Sequence, residues 1–103
     1  PLVIKRDGTR EEFDRDKLTR GIRISCSKTP VNAAEVENLV NEIEAYLQQA
    51  GRPEVSSRVI GDKVIERLKN LNLIAYIRYA IVYLQLTDLH AIRNEIDLLL
   101  EGE

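Results

Sequence analysis

Apolar residues recur along most of this chain at helical spacing, and a short opening stretch breaks that rule. Val3-Ile4 lead into the charged pair Lys5-Arg6, Asp7-Gly8 turn the chain, and a polar run ends in Phe13 just before Asp14. The pattern predicts a β-hairpin that feeds straight into a helix capped by Asp14. Leu18, Ile22 and Cys26, four residues apart, form the buried stripe of that helix, which should run from about Arg15 to Ser27. Asn32 with Glu35 reads as a capping box, flanked by Val31 and Val36 in staple positions. Val36, Leu39, Val40, Ile43, Tyr46 and Leu47 carry a second helix to Ala50-Gly51. After an Arg52-Pro53 linker, Ser56 or Ser57 caps a third helix with Ile60, Val64, Leu68 and Leu71 on one side. Asn72 caps a fourth, Leu73 to Leu84, apolar on every side and therefore central to the fold or shared with a partner. Leu89, Ile92, Ile96 and Leu99 then mark the seam of a short coiled coil, or a helix laid on the core.

The length of the first turn decides which side chains meet. A two-residue Asp7-Gly8 loop would set Lys5 opposite Arg10, and like charges facing across a ladder are destabilising. A three-residue loop, Arg6-Asp7-Gly8 with Gly8 left-handed in a bulge, instead puts Val3, Lys5, Thr9, Glu11 and Phe13 on one face. That face combines apolar groups, an ammonium and a carboxylate, and suits a ligand with a flat base and a charged tail. Against this stands the plainer reading of an edge hairpin that carries charge for solubility.

Composition narrows the class. A chain of 103 residues forms one domain that buries roughly 60 to 70% of its unfolded surface, enough for a core without staples. Cys26 is the single cysteine, so neither a disulfide nor a cysteine zinc cluster forms within the chain, and its place on an apolar stripe makes it a core residue. A formal charge of −2 argues against a free-standing DNA binder. Positive charge is nonetheless concentrated: Pro1 to Lys28 holds eight Lys/Arg against five Asp/Glu, and Val31 to Glu54 one against five. A local basic patch in an acidic chain fits a small polyanion better than a duplex. Glu35, Glu37, Glu42 and Glu44 form a solvated acidic face, or pair with a basic patch on a neighbouring subunit. No apolar run is long enough to span a bilayer and no leader-like stretch is visible; the expected location is the cytoplasm.

Candidate chemistry gathers at the first helix start. Free backbone N–H groups and partial positive charge there, with Lys5, Arg6 and Lys17 close in sequence, make an anion site. Lys17 in a first helical turn is mildly unfavourable unless an anion approaches or Asp14 and Asp16 compensate. Gly61 inside the third helix costs about 1 kcal/mol relative to Ala, which close helix packing or room for a ligand would explain. Arg78, the one charge in the apolar fourth helix, should reach a carboxylate or a ligand's phosphates. His90 has no second ligand or base partner, so no metal site is expected, and nothing pairs a nucleophile with a general base, so no enzyme is expected.

The run Val3 to Gly8, followed by Glu11, Phe13, Asp14 and Lys17, resembles the opening of the ATP-cone, a regulatory nucleotide-binding domain of ribonucleotide reductases. Pro30-Val31, the block from Glu54 to Gly61 and the block from Leu71 to Ala80 are most similar to the C-terminal regulatory part of the bacterial Nrd repressors of reductase genes. The resemblance covers nearly the whole chain. It departs from the repressor pattern at Glu12, Ile81, Leu84 and Leu86, where proline, serine, arginine and phenylalanine are usual. It implies a single α+β ATP-cone domain over residues 1–103, an N-terminal β-hairpin capping a bundle of about four α-helices, that senses ATP or dATP with magnesium as an allosteric effector. By the same resemblance Lys5, Arg6 and Lys17 hold phosphates, Val3, Glu11, Phe13 and Leu18 shape the base and sugar pocket, and Asp14 and Ser57 support it. Gly61, Arg78 and Tyr83 complete the implied set. Such repressors contact DNA through an N-terminal zinc ribbon absent from these residues, so the chain is expected to be a fragment beginning after it or an ATP-cone protein without one. The last helices are expected to self-associate as a dimer or higher oligomer. Two other readings remain: the ATP-cone of a reductase subunit, and a helical oligomerisation module whose basic patch is only surface.

Overall fold

The opening hairpin is joined by a third strand that the sequence pattern did not announce. In the computed structural model, which describes residues 1–102, β1 (Leu2–Ile4) pairs antiparallel with β2 (Arg10–Glu12) and parallel with β3 (Glu54–Ser56), in the order β2-β1-β3. Val3 faces Glu11 and Ile4 faces Arg10. The Lys5 N–H donates to the Thr9 carbonyl at 2.8 Å, so the loop is the three residues Arg6, Asp7 and Gly8, with Gly8 left-handed at φ +86°. This is the register that keeps Lys5 away from Arg10. The Asp7 carboxylate accepts from the Thr9 hydroxyl at 2.6 Å and its N–H at 2.9 Å, which fastens the turn and holds the acid below its ordinary range.

The stretch taken as a bare linker leads into β3. Val55 pairs beside Val3, and the Leu2 N–H donates to the Pro53 carbonyl at 2.9 Å, so β1 is paired along both edges. Three residues are too few to show alternation.

Each helix begins at the cap its sequence carries. Asp14 accepts from the Lys17 N–H to open α1 (Arg15–Cys26), and Asn32 with Glu35 closes a full capping box at α2 (Ala33–Ala50), which ends on left-handed Gly51. Ser56, the last residue of β3, caps α3 (Ser57–Leu71) by accepting from the Arg58 N–H. Asn72 ends α3 and caps α4 (Leu73–Tyr83), which stops one residue earlier than expected, as α1 does. Asp88 caps α5 (Leu89–Glu101).

The first four helices form the bundle. Ile22, Leu39, Val40, Ile43, Val64, Leu68, Ala75 and Ala80 are at most 1% exposed and make its core, with Val3 of the sheet at one end. α4 is the central helix, packed against α1 and α3. The fifth helix, α5, rests mainly on α4 and buries no residue fully, although Leu99 packs against the core. Within the chain the segment lies along α4, with Leu99 on the core and Leu89 and Ile96 of the seam exposed. The acidic face of α2 works within the chain: Arg15 of α1 pairs with Glu37 and Glu44, and Arg67 of α3 pairs with Glu42 at 2.8 Å. Among the described residues no helix is long and apolar enough to cross a membrane.

One buried hydroxyl ties α5 to α4. Tyr76, 4% exposed, donates to Glu95 at 2.6 Å, and burial first, then that bond, push its phenol up to about 12. An unfolded tyrosine ionises near pH 10, so the stabilising contribution is whole below pH 10 and is lost as pH rises toward 12. Thermal unfolding followed by circular dichroism should therefore show stability falling across that interval. Tyr76→Phe should make the fall shallower without abolishing it, since burial also raises Tyr79 and Tyr83; an unchanged slope would refute the assignment.

Candidate functional site

Between the sheet and three helices lies a cavity of about 380 Å³, within the usual range for small-molecule sites. Each helix lends it one face in steps of three and four residues. Asp14, Lys17, Leu18 and Gly21 come from α1 and its cap, Ser57, Ile60 and Gly61 from α3, and Tyr79, Val82 and Tyr83 from α4. The hairpin adds Val3, Arg6, Glu11, Glu12 and Phe13, and Gln85 closes the end beyond α4. The walls thus combine the apolar side chains of Val3, Phe13, Leu18 and Ile60 with charged groups of the hairpin and the first turn of α1.

Ten of the twelve residues singled out from the sequence line this cavity: Val3, Arg6, Glu11, Phe13, Asp14, Lys17, Leu18, Ser57, Gly61 and Tyr83. Lys5 lies outside the lining, but its Nζ is 3.4 Å from Glu11, whose other oxygen accepts from Lys17 Nζ at 3.0 Å. The two ammonium groups therefore share one carboxylate. The hydrogen bond from Lys17 and the charges of both lysines hold Glu11 below its ordinary value. This also answers the strain of a cation in the first helical turn: Glu11 supplies the anion.

Arg78 does something else. Its guanidinium donates to the carbonyls of Ser27 at 2.5 Å and Ser25 at 3.4 Å, closing the end of α1, and it does not line this cavity. The expected carboxylate or phosphate partner is replaced by the carbonyls that a helix end leaves unpaired.

Gly61 is explained by Tyr83. A Cβ on Gly61 would lie 2.0 Å from Cε1 of the Tyr83 ring, and the ring is held in place by its hydroxyl, which donates to Asp62 Oδ1 at 2.8 Å and approaches the Arg58 carbonyl at 3.0 Å. Arg6, at the hairpin tip, donates to the Tyr83 carbonyl and sits 5.2 Å from the ring centroid. Sequence reasoning missed Glu12, Gly21, Ile60, Tyr79, Val82 and Gln85. Gly21 was within reach, because it follows Lys17 by four residues and must share its helical face. Tyr79 and Val82 were hidden by a helix whose apolar residues face every direction.

A family model described as the ATP cone domain matches residues 1–89. The chain is 46% identical over 102 residues to the transcriptional repressor NrdR of Chloroflexus aurantiacus, covering 99% of this chain and 61% of that protein. It is 46% identical over 99 residues to the protein of the same name from Brevibacillus brevis, covering 96% and 62%. Against that of Listeria monocytogenes strain EGD-e it is 44% identical over 100 residues, covering 97% and 65%. The chain thus spans about three fifths of the length of the curated relatives it matches.

The Gly61–Tyr83 contact generates a test that needs no ligand. Gly61→Ala alone should destabilise by about 1 to 2 kcal/mol, because overpacking outweighs the helical gain of alanine. In a Tyr83→Ala background the sign should reverse to a gain of up to about 1 kcal/mol, since only the propensity term is left. Urea unfolding of the four proteins measures this cycle, and additive effects would disprove the steric account.

Proposed function

The chain belongs to the ATP-cone family, and on that premise we propose that its cavity binds ATP or dATP as an allosteric effector, within the regulatory part of a transcriptional repressor of ribonucleotide reductase genes. The observation that carries the reading is the presence, in one lining, of apolar side chains with Arg6 and Lys17, and with Lys5 beside them on Glu11. Val3, Phe13, Leu18 and Ile60 suit an adenine ring, and Lys5, Lys17 and Arg6 suit phosphates. Glu11 can accept a hydrogen bond from the sugar, which is where ATP and dATP differ. Asp14 and Ser57, at the starts of α1 and α3, stand as supporting contacts. Magnesium would arrive on the triphosphate, as it does where one or two carboxylates assist phosphate oxygens.

The name carried by the relatives favours the repressor reading over a reductase subunit. An effector site of this kind carries out no reaction of its own. In such a repressor DNA would be held by a part of the protein outside these residues, and both tasks belong to the cytoplasm. Self-association through the last helices fits the exposed Leu89, Ile96, Leu98 and Leu100 of α5.

Calorimetric titration with both nucleotides tests the site. Lys5→Ala and Lys17→Ala each remove charge-assisted hydrogen bonds and should weaken binding roughly ten- to a hundredfold. Glu11→Ala should change the preference between ATP and dATP more than total affinity. For the unaltered chain, nucleotide at about a hundred times its dissociation constant should add about 2.7 kcal/mol of stability, several degrees of melting temperature. Absence of any shift at millimolar nucleotide, or lysine variants that bind as well as the parent while Arg93→Ala on α5 binds worse, would discard the proposal.

Self-association has its own measurement. Ile96→Asp with Leu100→Asp should yield a smaller species by light scattering, with the fold intact because neither residue is buried. A chain that is monomeric at high concentration before any substitution, with and without nucleotide, contradicts it.

A further inference from the structure

The contacts at the end of α4 point beyond binding, to how an occupied cavity could act on the rest of the molecule. Tyr83 is the last residue of α4 and is held from three sides: its ring lies against Gly61 of α3, its hydroxyl bonds Asp62, and its carbonyl accepts from Arg6 of the hairpin. Two residues on, Gln85 takes a left-handed conformation at φ +56°, uncommon for a residue with a side chain, and the chain turns through it into α5. Gln85 and Tyr83 both line the cavity, and α5 makes its main contacts with α4. The hinge that aims α5 is therefore built into the cavity wall.

Resting on the nucleotide-binding reading above, we infer that Arg6 and Tyr83 form a latch that reports occupancy of the cavity to α5. Arg6 is bonded to a neutral carbonyl and placed on an aromatic face. A guanidinium prefers a phosphate, which it can grip with two charge-assisted bonds. A triphosphate entering beside Lys17 draws Arg6 off Tyr83, the end of α4 loses its tie to the hairpin, and α5 loosens on its seat. Tyr83 is thus a positioning residue that acts through the helix it ends, not at the ligand.

Hydrogen exchange of the α5 amides, read with and without saturating ATP and magnesium, tests this, with calorimetry on the same samples. In the unaltered chain ATP should speed exchange over residues 89–101 roughly tenfold, the combined worth of one hydrogen bond and one exposed cation–π contact. Arg6→Ala, which removes both contacts, should show the faster exchange before ATP is added and no further change at saturation, whereas Tyr83→Ala, which loses the ring but keeps the backbone carbonyl that Arg6 bonds, should show part of it. Tyr83→Phe, which keeps the ring, should retain the response and guards against a general loss of folding. Binding heat with no change in α5 exchange overturns the latch alone. No binding heat overturns the nucleotide reading and the latch with it. Normal slow exchange in the unliganded Arg6→Ala and Tyr83→Ala proteins also overturns it.

Discussion

The pairing of β1 on both of its edges is the constraint from which the cavity follows. β2 runs antiparallel to β1 and leads directly into α1, whereas β3 runs parallel to it and leads directly into α3. The two helices therefore leave the sheet from opposite ends of the central strand, and Val3 in the middle is left facing the gap between them. α4 closes that gap from the far side by packing on both. Remove the parallel pairing and α3 has no fixed start; Ser57, Ile60 and Gly61 then lose their place opposite Lys17 and Leu18.

Much of this was legible because local chemistry forced it. The avoided Lys5–Arg10 repulsion selected the three-residue turn, and Asp14, Asn32 and Asn72 each announced a helix start by a side chain that can satisfy an unpaired N–H. β3 was illegible because its partner lies some fifty residues away and three residues hold no period. Arg78 was legible as a group needing a partner, but periodicity has no means of saying that the partner is a helix end. The α1 side of the cavity could be read by counting in threes and fours from Lys17. The α4 side could not, because Tyr79, Val82 and Tyr83 sit in a helix apolar on every face, and only the packed bundle distinguishes its inner surface from its outer one.

Most charged groups of the site are partnered within the chain. Glu11 lies between Lys5 and Lys17, Asp14 is engaged with the first turn of α1, and Arg6 is bonded to Tyr83. A bound polyanion would therefore exchange partners and would not merely satisfy vacant ones. On the proposed nucleotide reading, selectivity would rest on which groups can be traded, and Glu11, the anion that a phosphate would displace from the lysines, would be the one free to turn to a sugar.

The parallel strand pair also sets an order of events as the chain is made. The hairpin and α1 can make their own backbone hydrogen bonds from the first twenty-six residues, since those bonds are local. β1 nevertheless keeps one edge unpaired until residues 54 to 56 have been added, with the whole of α2 made in between. An unpaired edge is a template for pairing with other chains. Here it is only three residues long and is flanked by Lys5 and Arg6, so the nascent chain carries its own deterrent to aggregation during the interval in which its sheet is incomplete.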